Sequence, residues 1–427
     1  MVPWGMSSPR TTVLTALFAL SCVADPAPSG RDPAAVGSDD TAAPTPAPTV
    51  TREVVPDQTL DNDHVFSQDR VHEIAIRLPD ASWAALAAAP YEPAPAHVVI
   101  DGVAVDDVGL RLRGKIGSFR TLDGKPKFKI DFNRFVDDQR FYGLEGLSLN
   151  NSVVDCSYMK EPLALAAFAA FDVPASRSTF ARVTVNDLDY GLYVVIETHD
   201  DRFVRRHWGE PIGNLYDGKY VWWPDRSYTL LDFAEGHDDL YQLEEGTEVG
   251  HADITAISTA LAEGVAAGDF HARMSPLVDW DQLHRVWAVE QYMGQNDGYS
   301  LNTNNYRVYF RASDAKMQMV PWDYDYSFLE DVWWSRYWTA PQGNLVAACW
   351  ADAACAAEHQ AVVAQLLDTI DALDLPNLNT ELAALTIADA RLDPRRECSL
   401  EEVDSERARV AEWLTTRTAY MRAYWGL

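Results

Sequence analysis

Apolar and polar residues alternate along Val71-His72-Glu73-Ile74-Ala75-Ile76-Arg77-Leu78, a period of two that predicts a strand with one buried face. A short helical stretch follows from Ala81 to Ala88. Three more strands are predicted at His97 to Ile100, ahead of an Asp101-Gly102 turn, at Val108 to Arg113 and at Lys127 to Phe132. In the last of these Phe128, Ile130 and Phe132 share a face, which leaves Lys129 on the opposite one. Tyr158 to Phe171 is apolar nearly all round, with Pro162 in the first turn where its missing N–H is tolerated, so a buried helix is expected there. A hairpin is read from Ala181 to Val185 and Leu192 to Glu197 around Asn186-Asp187, and Thr198-x-x-Asp201 reads as a capping box for a helix ending at Gly209. No clean period marks residues 217–250. Helices are expected at Ile254 to Glu263 and Asp281 to Met293, a two-stranded hairpin at Tyr306 to Arg311 and Lys316 to Val320, and helices again from His359 onward, broken at Pro376 and Pro394. The order is β-rich first and mainly helical later, an α+β chain of two lobes without an internal repeat.

The ends of this pattern divide the chain. Arg10, the apolar run Val13 to Leu20 and Ala19-Leu20-Ser21-Cys22 make residues 1–22 a bacterial signal segment with Cys22 as the lipidated residue, a plain secretory signal being the other reading. The run is too short to span a bilayer and no other stretch approaches twenty apolar residues, so the membrane is reached through a lipid anchor only. Residues 23–60, rich in Pro, Ala, Thr and Asp, are expected to be a disordered tether. The folded domain is placed at 61–427, its first lobe at about 61–200 and its second at about 201–427. An extracytoplasmic location suits the cysteines left after Cys22. Cys156, Cys349, Cys355 and Cys398 are even in number and are expected to form disulfides, with Cys349 and Cys355 able to close a small loop. Their spacing lacks the paired C-x-x-C ligands of a zinc site, and no metal is assigned to them. A net charge of −29 excludes nucleic acid as a partner, because phosphate binding depends on Lys and Arg.

Candidate chemistry concentrates between Gln295 and Glu330. An Asn296-Asp297-Gly298 turn and the asparagines Asn302, Asn304 and Asn305 precede the hairpin, and Trp322-Asp323-Tyr324-Asp325 follows it. Antiparallel strands return the chain, so the hairpin is expected to bring Asp297, Asn305 and Asp323 together. Such a set suits phosphoryl transfer, where one Asp orients the accepting hydroxyl while an Asn and a second Asp hold a hard cation, Mg²⁺ or Mn²⁺, on nucleotide phosphates. For either motif alone the plainer reading is a turn at Asp297-Gly298 and a helix cap at Asp323 and Asp325. Lys129 is the first choice for a cation on the phosphates, with Glu161 as the acid that orients it, and the Gly-containing connection Arg113-Gly114-Lys115-Ile116-Gly117-Ser118 offers backbone amides to an anion.

Seven short blocks add a family. Gly109-Leu110-Arg111-Leu112-Arg113-Gly114, Lys127-Phe128-Lys129-Ile130-Asp131-Phe132, Leu147-Ser148-Leu149-Asn150-Asn151, Gly191-Leu192-Tyr193-Val194-Val195-Ile196-Glu197, Gly213-Asn214-Leu215-Tyr216, Asn305-Tyr306 and Pro321-Trp322-Asp323-Tyr324-Asp325 occur in an order that resembles the spore coat protein H (CotH) kinase family. The blocks cover roughly residues 70 to 330. The resemblance implies an atypical protein-kinase-like fold that transfers phosphate from ATP to Ser or Thr of a surface protein. It matches Asp297 to the catalytic-loop aspartate and Asp323 to the metal-binding one. Asn305 competes with Asn302 and Asn304 as a metal ligand, and Asp325 is a second metal contact or a structural partner. Arg113, Gly114 and Lys129 fall in the nucleotide lobe, and Glu197 ends the hinge-like strand. Asp131 departs from the pattern, standing where a basic residue is common. A kinase-like surface module that binds a partner without transferring phosphate is the second reading. A glycosidase built on Asp323 and Glu197 ranks far behind.

Overall fold

A computed structural model describes residues 62–115, 117–218, 220–223, 227–329 and 341–427. The signal segment, Cys22 and the tether lie outside the described residues. The alternating segments of the first half become β1 (His72–Arg77), β2 (Ala94–Ile100), β3 (Val103–Arg113), β4 (Lys127–Asp131), β5 (Gly146–Asn150), β6 (Ser178–Val185) and β7 (Leu188–Glu197), with α1 (Asp80–Ala88) and α2 (Lys160–Ala170) between them. They close into a barrel in the order β1-β2-β3-β4-β5-β7-β6. Every neighbouring pair is antiparallel except β1 with β6, which seals the barrel in parallel. Ile74, Val98, Leu110, Phe128, Ile130, Leu149 and Val183 fill its interior.

Strand β7 is buried on both faces along most of its length. Along β7, Tyr193 and Val195 face the barrel core, whereas Leu192, Val194 and Ile196 join a second core with the helices that follow. This double burial explains the unbroken apolar run from Leu192 to Ile196, since a strand covered on both sides has no polar face to show. The hairpin turn between β6 and β7 is Asn186-Asp187, both at positive φ (48° and 65°), as a two-residue turn of the favoured hand requires.

The second half comprises α3 (Asp201–Trp208), the strands β8 (Asn214–Asp217), β9 (Val221–Trp222), β10 (Tyr228–Thr229) and β11 (Gln242–Glu245), the helices α4 (Ala252–Ala267), α5 (Phe270–Met274), α6 (Trp280–Met293) and α7 (Tyr299–Asn302), the hairpin β12 (Tyr306–Phe310) and β13 (Met317–Pro321), and the helices α8 (Asn344–Ala351), α9 (Ala353–Leu373), α10 (Leu375–Leu392) and α11 (Leu400–Trp425). The stretch without periodicity supplies β9, β10 and β11, and a four-stranded sheet ordered β11-β8-β12-β13 draws on two short strands, β8 at the start of that stretch and β11 within it. Each has four residues, too few to show a period. One expectation shifts. The cap of α3 is Asp200, which accepts from the amides of Arg202 and Phe203, while Thr198 donates to Asp200 at 2.8 Å. The later helices break about where the prolines stand: α9 ends at Leu373, Pro376 lies in the first turn of α10, and α10 ends at Leu392, two residues before Pro394. Among the described residues no helix is long and apolar enough to cross a membrane.

The chain after α10 returns to the barrel and is fastened there. Asp393, fully buried, accepts from Lys125 Nζ at 2.5 Å, Tyr158 Oη at 3.0 Å and the amide of Leu192 at 3.1 Å. Gly191 is required beneath it, because a Cβ there would lie 2.0 Å from Asp393 Oδ1. Arg395 adds a bond to the carbonyl of Asp123 at 2.7 Å, and a disulfide joins Cys156 to Cys398. Removing one partner of a buried pair strands the other charge. Lys125→Met is therefore expected to lower the unfolding free energy by about 3–5 kcal/mol in urea titrations without reductant. Arg77→Ala, which removes the exposed pair with Asp187, is expected to cost less than about 1 kcal/mol.

Candidate active site

Strand register brings four cations to one place. Arg111 pairs across the ladder with Lys129, and Arg113 with Lys127. Like charges opposite one another are unfavourable unless acids intervene, and they do. Lys129 binds Asp131 at 2.9 Å, with Arg111 3.8 Å from the same carboxylate. Lys127, at the start of β4, reaches instead into the seam where the hairpin loops arrive. Its ammonium lies 2.8 Å from Asp325 Oδ2 and 3.4 Å from both oxygens of Asp323. The expectation for Lys129 is thus corrected. Both lysines share the outward face of β4, two residues apart, but Lys127 stands beside the acids and Lys129 is held by Asp131, the residue that departs from the family pattern.

Glu161, in the first turn of α2, completes the cluster through Asn150 at the end of β5. The Asn150 amide donates to Glu161 Oε2 at 2.8 Å and to Asp325 Oδ2 at 3.2 Å. The acid of α2 is therefore linked to the site through an asparagine and Asp325. Asp323 and Asp325 also lie near enough to feel each other's charge. Burial and the charge of Asp325 push Asp323 up to about 6, and burial with Asp323 and Asp325 pushes Glu161 up to about 8. Asp325 goes down despite its burial, because Lys127 and Asn150 hold its charged form.

Asp297 is built from the other side. It follows α6 and lies one residue before Gly298, where a Cβ would meet Glu290 Oε1 at 2.4 Å. Glu290, buried on α6, accepts from the amides of Tyr299 and Ser300 and so fixes the turn. Asn302, Asn304 and Asn305 all turn their amide nitrogens to the Asp297 carboxylate, the last two at 3.1 and 2.9 Å. Gln295 spans the two halves, accepting from the Asp297 amide at 3.1 Å and donating to the Asp323 carbonyl at 3.2 Å. Asp297 also feels the charge of Asp325, and burial raises its carboxyl above the usual range. Thr303, Asn305 and Asp323 all sit at positive φ (42°, 52° and 54°). For a β-branched threonine that conformation is costly, and its recurrence around one cluster marks a site that the surrounding structure holds in place.

The remaining expected residues fall around this centre. Arg113 donates to Ser148 and covers the Trp322 ring at 4.9 Å, with Arg307 at 5.0 Å from the same ring. Gly114 has φ +90° and its carbonyl accepts from Tyr91. Glu197 does not join the acids. It is buried against Arg177 at 2.6 Å, Arg206 and the Arg177 amide, so its carboxylate braces α3 against the start of β6. Glu197 is therefore corrected to a structural role. Lys127, Asn150, Gln295 and Glu290 were not singled out from sequence. Lys127 and Asn150 lie inside the quoted blocks, where strand parity and position flagged them no more than their neighbours.

A cation fits this donor set. Three carboxylates gather around Lys127, two of them raised by burial and by the charge of neighbouring acids, a condition that a hard divalent ion would relieve. The Asp323 side chain keeps 27% of its surface exposed while that of Asp325 keeps 8%, so the cluster is open on the Asp323 side.

A family model described as CotH kinase protein matches residues 110–421, which include every residue of this cluster. The chain belongs to the CotH kinase protein family. The match continues past residue 330 into the helical part, beyond the blocks read from sequence. The Inner spore coat protein H of Bacillus subtilis (strain 168) is 23% identical over 249 residues, covering 56% of this chain and 64% of that protein. The chain thus matches somewhat less than two thirds of that relative's length.

The raised carboxyls of this CotH family protein carry a pH signature. Glu161 keeps its proton up to about 8 in the folded chain against 4.5 in the ordinary carboxyl. The folded state therefore binds more protons across that window, and stability falls as pH rises through it. In thermal unfolding with a chelator present, wild type is expected to lose stability between about pH 5 and 8, and Glu161→Gln to show a flatter profile. Mg²⁺ is expected to restore most at the alkaline end.

Proposed function

We propose that this CotH family protein is an extracytoplasmic, lipid-anchored protein kinase that transfers phosphate from ATP to Ser or Thr of a surface protein. The observation that carries this reading is Lys127 held between Asp323 and Asp325, with Asp297 tied to Asp323 through Gln295. In this reading the barrel and the helical part are the two lobes of a kinase-like fold.

Each residue then has a task its surroundings support. Asp323 and Asp325 would hold Mg²⁺ or Mn²⁺, and the bound ion would offset charge on the transferring phosphoryl group. Lys127 and Arg113 supply positive charge to phosphate oxygens, Lys127 as a buried ammonium and Arg113 as a guanidinium fixed over Trp322. Asp297, held by three asparagine amides, keeps one orientation in which to receive a hydrogen bond from the accepting hydroxyl. Its raised carboxyl still leaves a base able to take the proton as the O–P bond forms.

The test is label transfer from ATP with Mg²⁺ or Mn²⁺ to Ser- and Thr-rich acceptor proteins, using purified residues 60–427. Asp297→Ala and Asp323→Ala are each expected to lower transfer by at least ~100-fold with unchanged circular dichroism, and equal transfer by either variant would sink the proposal. A second comparison separates the two lysines. Lys127→Met is expected to abolish transfer and metal-dependent nucleotide binding, whereas Lys129→Met keeps most of both. Absence of transfer and of nucleotide binding by the wild type would leave a surface-binding module.

A further inference from the structure

Away from the acids, α6, α8 and α9 enclose a second cluster of chemically active groups. Cys349 near the end of α8 and Cys355 in the first turn of α9 are joined as a disulfide. His284 of α6 lies against them, its Nε2 4.0 Å from Cys355 Sγ. The two sulfurs and a ring nitrogen of His284 all lie within 4.8 Å of one another, and all three residues are buried. His284 has no good hydrogen bond. Its Nδ1 is buried without a partner, and Nε2 has only the sulfur and Glu358 Oε2 at 3.8 Å. A buried imidazole left so poorly served needs a reason.

We propose that when the Cys349–Cys355 bond is reduced, both thiolates and His284 Nε2 form a zinc site that ties α8 and α9 to α6. Two sulfurs and one imidazole are a soft donor set that suits zinc over magnesium or calcium. Glu358, on α9 one turn after Cys355, is placed for the fourth position. It is half exposed and bonded to His271 Nε2 at 3.0 Å, so it also marks the way in for the ion. Cys355 lies at the N-terminal end of α9, where the helix dipole favours the thiolate.

The exchange balances. A dithiol reductant delivers two electrons and two protons to the S–S bond and leaves as its own disulfide, giving two thiols. Zinc then binds both sulfurs and releases their protons to solvent. The disulfide links only α8 and α9, whereas zinc would also engage α6, the helix that leads into Gln295 and Asp297. The sequence concealed the site because the histidine precedes the cysteines by more than sixty residues and no C-x-x-C pair announces it.

The test loads Co²⁺ and Zn²⁺ into the chain refolded with a phosphine reductant, beside the oxidised chain. The reduced chain is expected to show thiolate-to-cobalt charge-transfer absorption and tetrahedral cobalt bands that saturate at one equivalent, and that a chelator removes. The oxidised chain is expected to show neither spectral feature, even where its acid cluster takes up the ion. His284→Ala should weaken binding at least ~10-fold, and Cys349→Ser with Cys355→Ser should remove the absorption. Cys156→Ser with Cys398→Ser should leave it. If the reduced chain folds only with metal added, recovery of fold with the cobalt spectrum supports the site. Failure to fold with cobalt, absence of the charge-transfer band, or binding indifferent to His284→Ala overturns it.

Discussion

Burying Asp323, Asp325 and Glu161 around Lys127 leaves more negative charge than the protein itself neutralises. The response is visible in the protons. Glu161 and Asp323 are pushed up, to about 8 and about 6, because full ionisation of all three acids in one buried place costs too much. Asp325 alone of the three goes down, since Lys127 and Asn150 both hold its charged form. A site in this condition gains by taking up a cation, and the groups around it are arranged to hold that deficit in place.

Holding it requires a rigid frame, and the frame comes from two sources. One is the double burial of β7, which makes the barrel and the helical core share a wall. The other is Asp393, whose carboxylate joins Lys125, Tyr158 and the backbone of β7 from a loop near the end of the chain. Tyr158 lies two residues before α2, and Cys156, bonded to Cys398, lies just upstream of it. The C-terminal return therefore braces the approach to the helix that carries Glu161. A shift of α2 would separate Glu161 from Asn150 and disturb the balance of charge that sets the pKa of every acid in the cluster.

Much of this was legible in the chain. Period-two segments marked most of the barrel, and the β12–β13 hairpin was predicted to gather Asp297, Asn305 and Asp323, which the structure brings together. What escaped had a physical reason. β8 and β11 are too short for a period. The cap of α3 is Asp200 instead of the box read at Thr198, because several local patterns fit one stretch of Thr, His and Asp. Glu197 ends an apolar strand as a ligand would, yet its partners are Arg177, just before β6, and Arg206 in α3, at spacings that no helix or strand period brings together. The asparagines read as rival metal ligands prove to point their amides at Asp297, a matter of side-chain direction that composition does not carry.

The choice between Lys127 and Lys129 shows most plainly how register decides chemistry. Parity puts both on one face of β4, so alternation alone gives them equal claim. The ladder with β3 sets Arg111 opposite Lys129 and Arg113 opposite Lys127. Asp131 then neutralises the first pair. Positive charge that Asp131 does not cancel is left at the other end of the strands, next to Asp323. Asp131, which stands where a basic residue is common, therefore separates the two lysines: it neutralises the cationic pair two residues away and leaves Lys127 as the ammonium that faces the acid cluster.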